Sequence, residues 1–181
     1  MQWKLLFIFS TCLLFACQPE NKTSNMNQFP SLKATLLTGK SIHFPNDVKG
    51  KLVFLTLAFD DNGEYKDQQK QSEEWQSFWQ DSLSHKGVDF YEIPMMSGKY
   101  WFIRFFIDGG MRRGIDPNLH KSVACFYGNK EKYADLLALK SYKNIVSCLL
   151  DQQGNILSIQ YGYPNETSKQ GFMNAFSNRK K

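Results

Sequence analysis

Thiols are the most reactive side chains in this 181-residue chain, and it has four: Cys12, Cys17, Cys125 and Cys148. Cys12 and Cys17 lie within or just after an N-terminal apolar run, Leu5 to Ala16, which leaves Cys125 and Cys148 for the part long enough to fold. One pair is not a disulfide framework of the kind that staples small exported domains. His43, His85 and His120 are scattered without ligand spacing and without cysteine pairs nearby, so neither a metal site nor a cofactor site is expected. Asp60-Asp61-Asn62-Gly63 begins like a calcium loop but lacks the later ligands and the closing Glu. An acidic loop opening a helix accounts for it. Arg104, Arg112 and Arg113, beside Trp101 in an aromatic stretch, are residue types favoured at binding hot spots and are candidate partner-binding residues. The plainer account is a core-packing helix whose arginines are solvated. No catalytic residue stands out.

The N-terminal run has a charge before it, Lys4, and a small residue at its end, the pattern of a cleaved secretory signal over residues 1–16. It is short of the roughly 20 apolar residues a spanning helix needs. Its end, Leu14-Phe15-Ala16-Cys17, resembles the lipobox of bacterial lipoproteins, in which the cysteine is acylated and becomes the mature N-terminus. The resemblance implies lipidation of Cys17 by chains such as palmitate, several of which together anchor stably. An ordinary signal cut near Ala16 is the alternative. Residues 17–28, rich in Asn, Lys, Ser and Thr, should be a flexible tether, and 29–181 one domain large enough for a real core. The net charge of +5 includes Lys4 and the tail Arg179-Lys180-Lys181, so the mature balance is mildly basic. Export argues against nucleic acid as a partner. The expected address is the bacterial cell envelope, on the inner or the outer membrane, with the membrane engaged through the lipid and an envelope protein as the further partner.

Positioning elements follow from periodicity. Lys33–Leu37 and Ser41–Phe44, joined through Thr38-Gly39-Lys40, read as an N-terminal hairpin, and Leu52–Phe59 is an apolar run suited to the middle of a sheet. Between Tyr65 and Ser84, Trp75, Phe78, Trp79 and Leu83 recur at helical spacing in a polar stretch whose remaining faces should meet water. A strand over Val88–Ile93 is expected to stop at Pro94, and a helix over Tyr100–Arg113 to be ringed by apolar residues. Then come a strand at Ser122–Tyr127, a helix at Asn129–Leu139 with Asn129 as N-cap, strands at Ile145–Leu150 and Ile156–Tyr161, and a closing helix at Glu166–Phe176.

Strands alternating with helices and a late hairpin indicate a mixed sheet. Gly50-Lys51-Leu52-Val53-Phe54-Leu55, and Leu149-Leu150-Asp151-Gln152-Gln153-Gly154-Asn155-Ile156, resemble the opening core strand and the closing hairpin of the thioredoxin-like superfamily, in its peroxiredoxin and thiol:disulfide interchange branches. Tyr127-Gly128-Asn129, Tyr133-Ala134 and Leu149-Leu150-Asp151 are similar, more loosely, to the thioredoxin-like assembly factor family of mitochondrial ATP synthase. The resemblance implies an α/β fold with a central mixed sheet flanked by helices and an N-terminal β-hairpin. It also implies where redox chemistry should sit: a cysteine pair, or a single peroxidatic cysteine, after the first core strand, and a cis-proline before the third that presents backbone to the thiol substrate. This chain has Phe59-Asp60-Asp61-Asn62-Gly63-Glu64-Tyr65 at the first place and Lys143-Asn144-Ile145-Val146 at the second. Both signatures are missing. In the related folds Cys125 would lie at a sheet edge, about three strand spacings from Cys148, too far for a disulfide. The expectation is a non-catalytic thioredoxin-like domain that serves protein binding or assembly; the alternative is a thiol-disulfide oxidoreductase or peroxidase with Cys125 or Cys148 as a displaced nucleophile.

Overall fold

The computed structural model describes residues 27–59 and 65–179. Seven strands form one mixed sheet in the order β2-β1-β5-β4-β3-β6-β7, where β1 is Leu32–Leu36, β2 Ser41–Phe44, β3 Leu52–Ala58, β4 Val88–Ser97, β5 Ala124–Gly128, β6 Val146–Leu150 and β7 Ile156–Tyr161. Strand β3, LVFLTLA, is buried at every position. It pairs in parallel with β4 on one side and antiparallel with β6 on the other. Its alternating side chains feed two cores, as the period of two requires. Val53, Leu55 and Leu57 join Tyr133, Ala134 and Leu137, on and just after helix α3 (Lys130–Leu136), on one face. Leu52, Phe54 and Ala58 meet helices α1 (Tyr65–Ser82) and α4 (Glu166–Asn178) on the other. There Phe54, fully buried, packs edge-on to Phe172 at 5.0 Å between ring centres and lies 5.9 Å from Trp75.

Element ends obey local chemistry. The Asn129 side chain accepts from Lys132 N–H to cap α3, and Asn165 and Ser168 form a reciprocal capping box at the start of α4. Between β6 and β7, Asp151 Oδ1 accepts from the N–H groups of Gln153 and Asn155, each at 2.8 Å. Gly154 in this turn has φ +87°, and a Cβ there would fall 2.4 Å from Pro45 Cβ, so the turn and the β2 end fit only around a glycine.

Three expectations need correction. Strand β4 continues through Pro94 to Ser97. Glu92 donates its N–H to Ser122 O on the β5 side, and Pro94, two residues on, points its nitrogen the same way; the missing donor therefore interrupts the β5 ladder while pairing to β3 persists to Ala58↔Pro94. Strand β5 is not a sheet edge, because β1 pairs with it antiparallel and carries β2 outside it. Finally, the stretch after β4 is a 3-10 turn, Gly98–Ile103, leading into α2 (Arg104–Gly114), and its aromatic residues are not packed all round. Ile103, Ile107 and Met111, at a spacing of four, are partly buried, with Ile107 and Met111 packed on Met96 and Cys125, while Trp101, Phe102, Phe105 and Phe106 face out.

Candidate functional site

Helix α1 starts beside the end of β3, and its inner stripe is longer than its apolar residues alone. Gln68, Gln71 and Ser72 stand one and two turns before Trp75 on the same face and are fully buried. Each has a backbone or core task. Gln68 Nε2 donates to Phe59 O at 2.7 Å and also to Tyr142 O, and two carbonyl acceptors fix which way its amide points. Gln71 donates through Nε2 to Lys143 O at 2.8 Å and to Asp67 Oδ2 at 2.7 Å, while its Oε1 accepts Ile145 N–H at 3.0 Å. Ser72 and Thr56 share a hydroxyl contact of 3.1 Å. The loop at 142–145 is thus sewn to α1 by side-chain amides. These glutamines were passed over as solvated; the signal that finds them is their continuation of the Trp75–Phe78 stripe back along the helix.

Asp67, on the exposed rim, accepts from Tyr163 OH at 2.6 Å. That bond, then the one from Gln71, lowers the Asp67 pKa, and the same contact pushes the Tyr163 phenol up to about 12. Such a pair holds its protons in place rather than exchanging them near neutral pH.

Beside this seam lies an apolar cleft of about 370 Å³ between α1 and the 98–111 segment, bordered by Ala58, Gln68, Pro94, Met96, Ile103 and Ile107. Gln68 Oε1 has no hydrogen-bond partner among the described residues. Glu92 also borders the cleft. Desolvation raises its carboxyl pKa, Glu73 adds to the rise, and a hydrogen bond from Ser72 opposes it.

Cys125 on β5 and Cys148 on β6 are both buried and unpaired. Strands β4 and β3 separate them, about 14 Å at three strand spacings, beyond disulfide reach. Burial pushes both thiols well up, in Cys125 with help from the nearby Asp108. A thiol held protonated is a poor nucleophile.

Of the candidate partner residues, Arg104 and Trp101 come together: the guanidinium lies 4.8 Å from the centre of the indole and 5.2 Å from that of Phe105. Arg112 turns the other way and donates through Nε to Leu37 O at 2.7 Å, while Arg113 is exposed. The histidines stay apart, with His43 on the outer strand β2 and His120 against Ile115 O. Cys17 and the acidic loop at 60–63 lie outside the described residues.

No family model and no curated protein sequence matches the chain. Solved structures do. A protein assigned as the thiol:disulfide interchange protein DsbE of Chlorobium tepidum superposes with a TM-score of 0.52 at 18% identity, over 83% of this chain and 96% of that one. The exposed lipoprotein thioredoxin of Streptococcus pneumoniae strain TIGR4 gives 0.51 at 14% identity, over 83% and 100%. BsSco, a member of the Sco family of cytochrome c oxidase assembly proteins, gives 0.53 at 13% identity, over 85% and 94%. The fold is thioredoxin-like.

In a thioredoxin-like frame, the end of β3 and the start of α1 are where the cysteines would stand, and the 142–145 loop is where the cis-proline would present backbone. Here the loop's Lys143 C=O and Ile145 N–H are both engaged by Gln71. The cis bond among the described residues is at Phe44-Pro45, on β2.

Proposed function

We propose that this protein is a cell-envelope lipoprotein whose thioredoxin-like domain binds or assembles other proteins without thiol chemistry. The observation that carries the reading is the Gln71 amide, which occupies from within the backbone positions a redox relative would offer to a substrate. The sequence supplies no cysteine within that site, and the two that remain are buried elsewhere with raised pKa values. An exposed lipoprotein and an assembly-family protein among the similar structures support the address and the type of work. Among the described residues no helix is long and apolar enough to cross a membrane; the support for attachment through Cys17 is the lipobox-like Leu14-Phe15-Ala16-Cys17. The apolar cleft beside Gln68 suits an apolar side chain of a partner.

Two measurements test this. In an insulin-reduction or peroxidase assay the purified protein shows no turnover above background; any turnover overturns the non-catalytic reading, and its loss in Cys125→Ala with Cys148→Ala would assign it to a displaced thiol. In cells fed an alkyne fatty acid, the protein takes the label and Cys17→Ser loses it. Label retained by Cys17→Ser overturns the assignment of the anchor.

A further inference from the structure

Eight large hydrophobic side chains are exposed among the described residues, and five of them fall between Tyr100 and Phe106. Trp101 is 57% exposed, Phe102 75%, Phe105 73% and Phe106 82%. Monomeric proteins seldom leave such a group in water without a use for it. The segment is two-sided: Ile107 and Met111 pack inward and Ile103 borders the cleft, while the four rings are exposed.

We propose that this outer face rests on an anionic bilayer surface, its rings at the headgroup level. Charge supports this choice of partner. From Gly98 to Gly114 the basic residues are Lys99, Arg104, Arg112 and Arg113, and the one acid is Asp108. Asp108 is 7% exposed and accepts a 2.6 Å hydrogen bond from Tyr127 OH, so it points inward, as Arg112 turns to Leu37 O, and the charges this segment leaves outside are those of Lys99, Arg104 and Arg113. Aromatic rings with Lys and Arg around them, and no acid, are the composition of interfacial helices. The Arg104 guanidinium stacked on Trp101 keeps cation and ring at one level, where phosphate and glycerol groups meet the acyl chains. A protein interface would set a polar, hydrogen-bonding rim around its rings. Along the chain the flanking residues are Gly98, Gly109, Gly110 and basic side chains, while the polar Gln68, Gln69 and Glu92 border the cleft on the segment's inner side.

Reach permits it. The stretch from Cys17 to Asn27 can span at most about 35 Å, on the order of the diameter of a domain this size; because Asn27 enters at the β6–β7 turn, at the other end of the sheet from Gly98–Gly114, contact requires this tether to be nearly extended. The inference draws on the membrane-attached reading for proximity, and its own contact is measured separately.

The test uses the mature lipidated protein from Cys17 onward, purified from membranes and reconstituted with vesicles of phosphatidylcholine and phosphatidylglycerol whose acyl chains are brominated. Trp75 and Trp79 lie in the core and give a constant background, which the additional Trp101→Phe variant measures. We expect Trp101 emission to shift to the blue and to be quenched by the bromolipid. The quenching should fall by about tenfold with Phe102→Ser and Phe106→Ser combined, and should weaken in phosphatidylcholine alone or in high salt. Both phenylalanines are exposed, so an unchanged melting temperature verifies the variant's fold. A chain that floats with the vesicles while Trp101 stays unquenched and open to acrylamide overturns the inference and leaves the attachment standing. A chain that does not float overturns both.

Discussion

Replacing Gln71 with methionine keeps the length of the side chain and removes only its amide. The structure makes the consequence calculable. Ile145 N–H, in a fully buried residue, loses the Gln71 Oε1 acceptor at 3.0 Å. A buried donor left without a partner costs about 1–3 kcal/mol. Lys143 O, at 2.8 Å from the same amide, lies in an exposed residue and can turn to water, so its loss adds little. Burying a thioether instead of an amide returns a fraction of the cost. The net expectation is a loss of about 2 kcal/mol, or roughly 4–8 °C in Tm for a chain of this size. Urea unfolding measures it: the midpoint should fall with an unchanged slope, and hydrogen exchange at the Ile145 amide should accelerate more than in the sheet. Gln69→Met is the control, two positions away on the exposed side, where Gln69 reaches only Glu73; it should stay within about 0.5 kcal/mol. A Gln71→Met protein as stable as the parent, with Ile145 still protected, would refute the reasoning that this amide holds the loop.

Native protein should react with a thiol reagent at Cys125 and Cys148 only after unfolding, because burial raises both pKa values; rapid labelling of either in the folded state would restore the displaced-nucleophile alternative. Glu92 should make stability fall as pH rises: its folded pKa lies above the ordinary 4.5, so the native state binds the extra proton, and the loss begins near pH 4.5 and is complete once pH passes the folded value. Thermal melts of Glu92→Gln across that range should show a flatter profile than the parent, and parallel profiles would exclude Glu92 as the cause. Asp67 has the opposite sign, with a lowered pKa whose contribution is present above about pH 4 and lost as pH falls through the folded value; Tyr163→Phe should shrink that acid-side loss. Gly154→Ala should destabilise by about 2 kcal/mol or more, since φ is +87° and the new Cβ would meet Pro45 at 2.4 Å; a midpoint equal to the parent's would show that the turn can open.

Much of the fold was legible because it rests on local patterns. The unbroken apolar run of β3, the Asn129 cap and the Asp151 turn all appear where residue types demand them. The thioredoxin-like resemblance rested on the same runs. What escaped the sequence depends on partners distant along the chain. Gln71 looks like any surface glutamine until Lys143 and Ile145, more than 70 residues on, are brought beside it. Tyr100–Phe106 is apolar enough to read as core, and only the tertiary structure shows that the sheet has room for its isoleucines and not for its rings. Pro94 reads as a stop because a proline lacks a donor, yet the direction in which that donor would have pointed is a property of the sheet.

The first described residues enter through the β6–β7 turn rather than through their own hairpin. Phe29 N–H bonds Gly154 O and Asn27 O accepts Ile156 N–H, each at 2.9 Å, with the Phe29 ring 2% exposed beneath them. In mechanical terms this is a strain relief: in a chain fixed at its N-terminal end, a pull on the domain is borne first by those two hydrogen bonds and one buried ring. Strand β1 begins three residues later and feels the load only after that clamp has slipped. A molecule held by one end in a moving envelope would then lose its entry segment before its sheet.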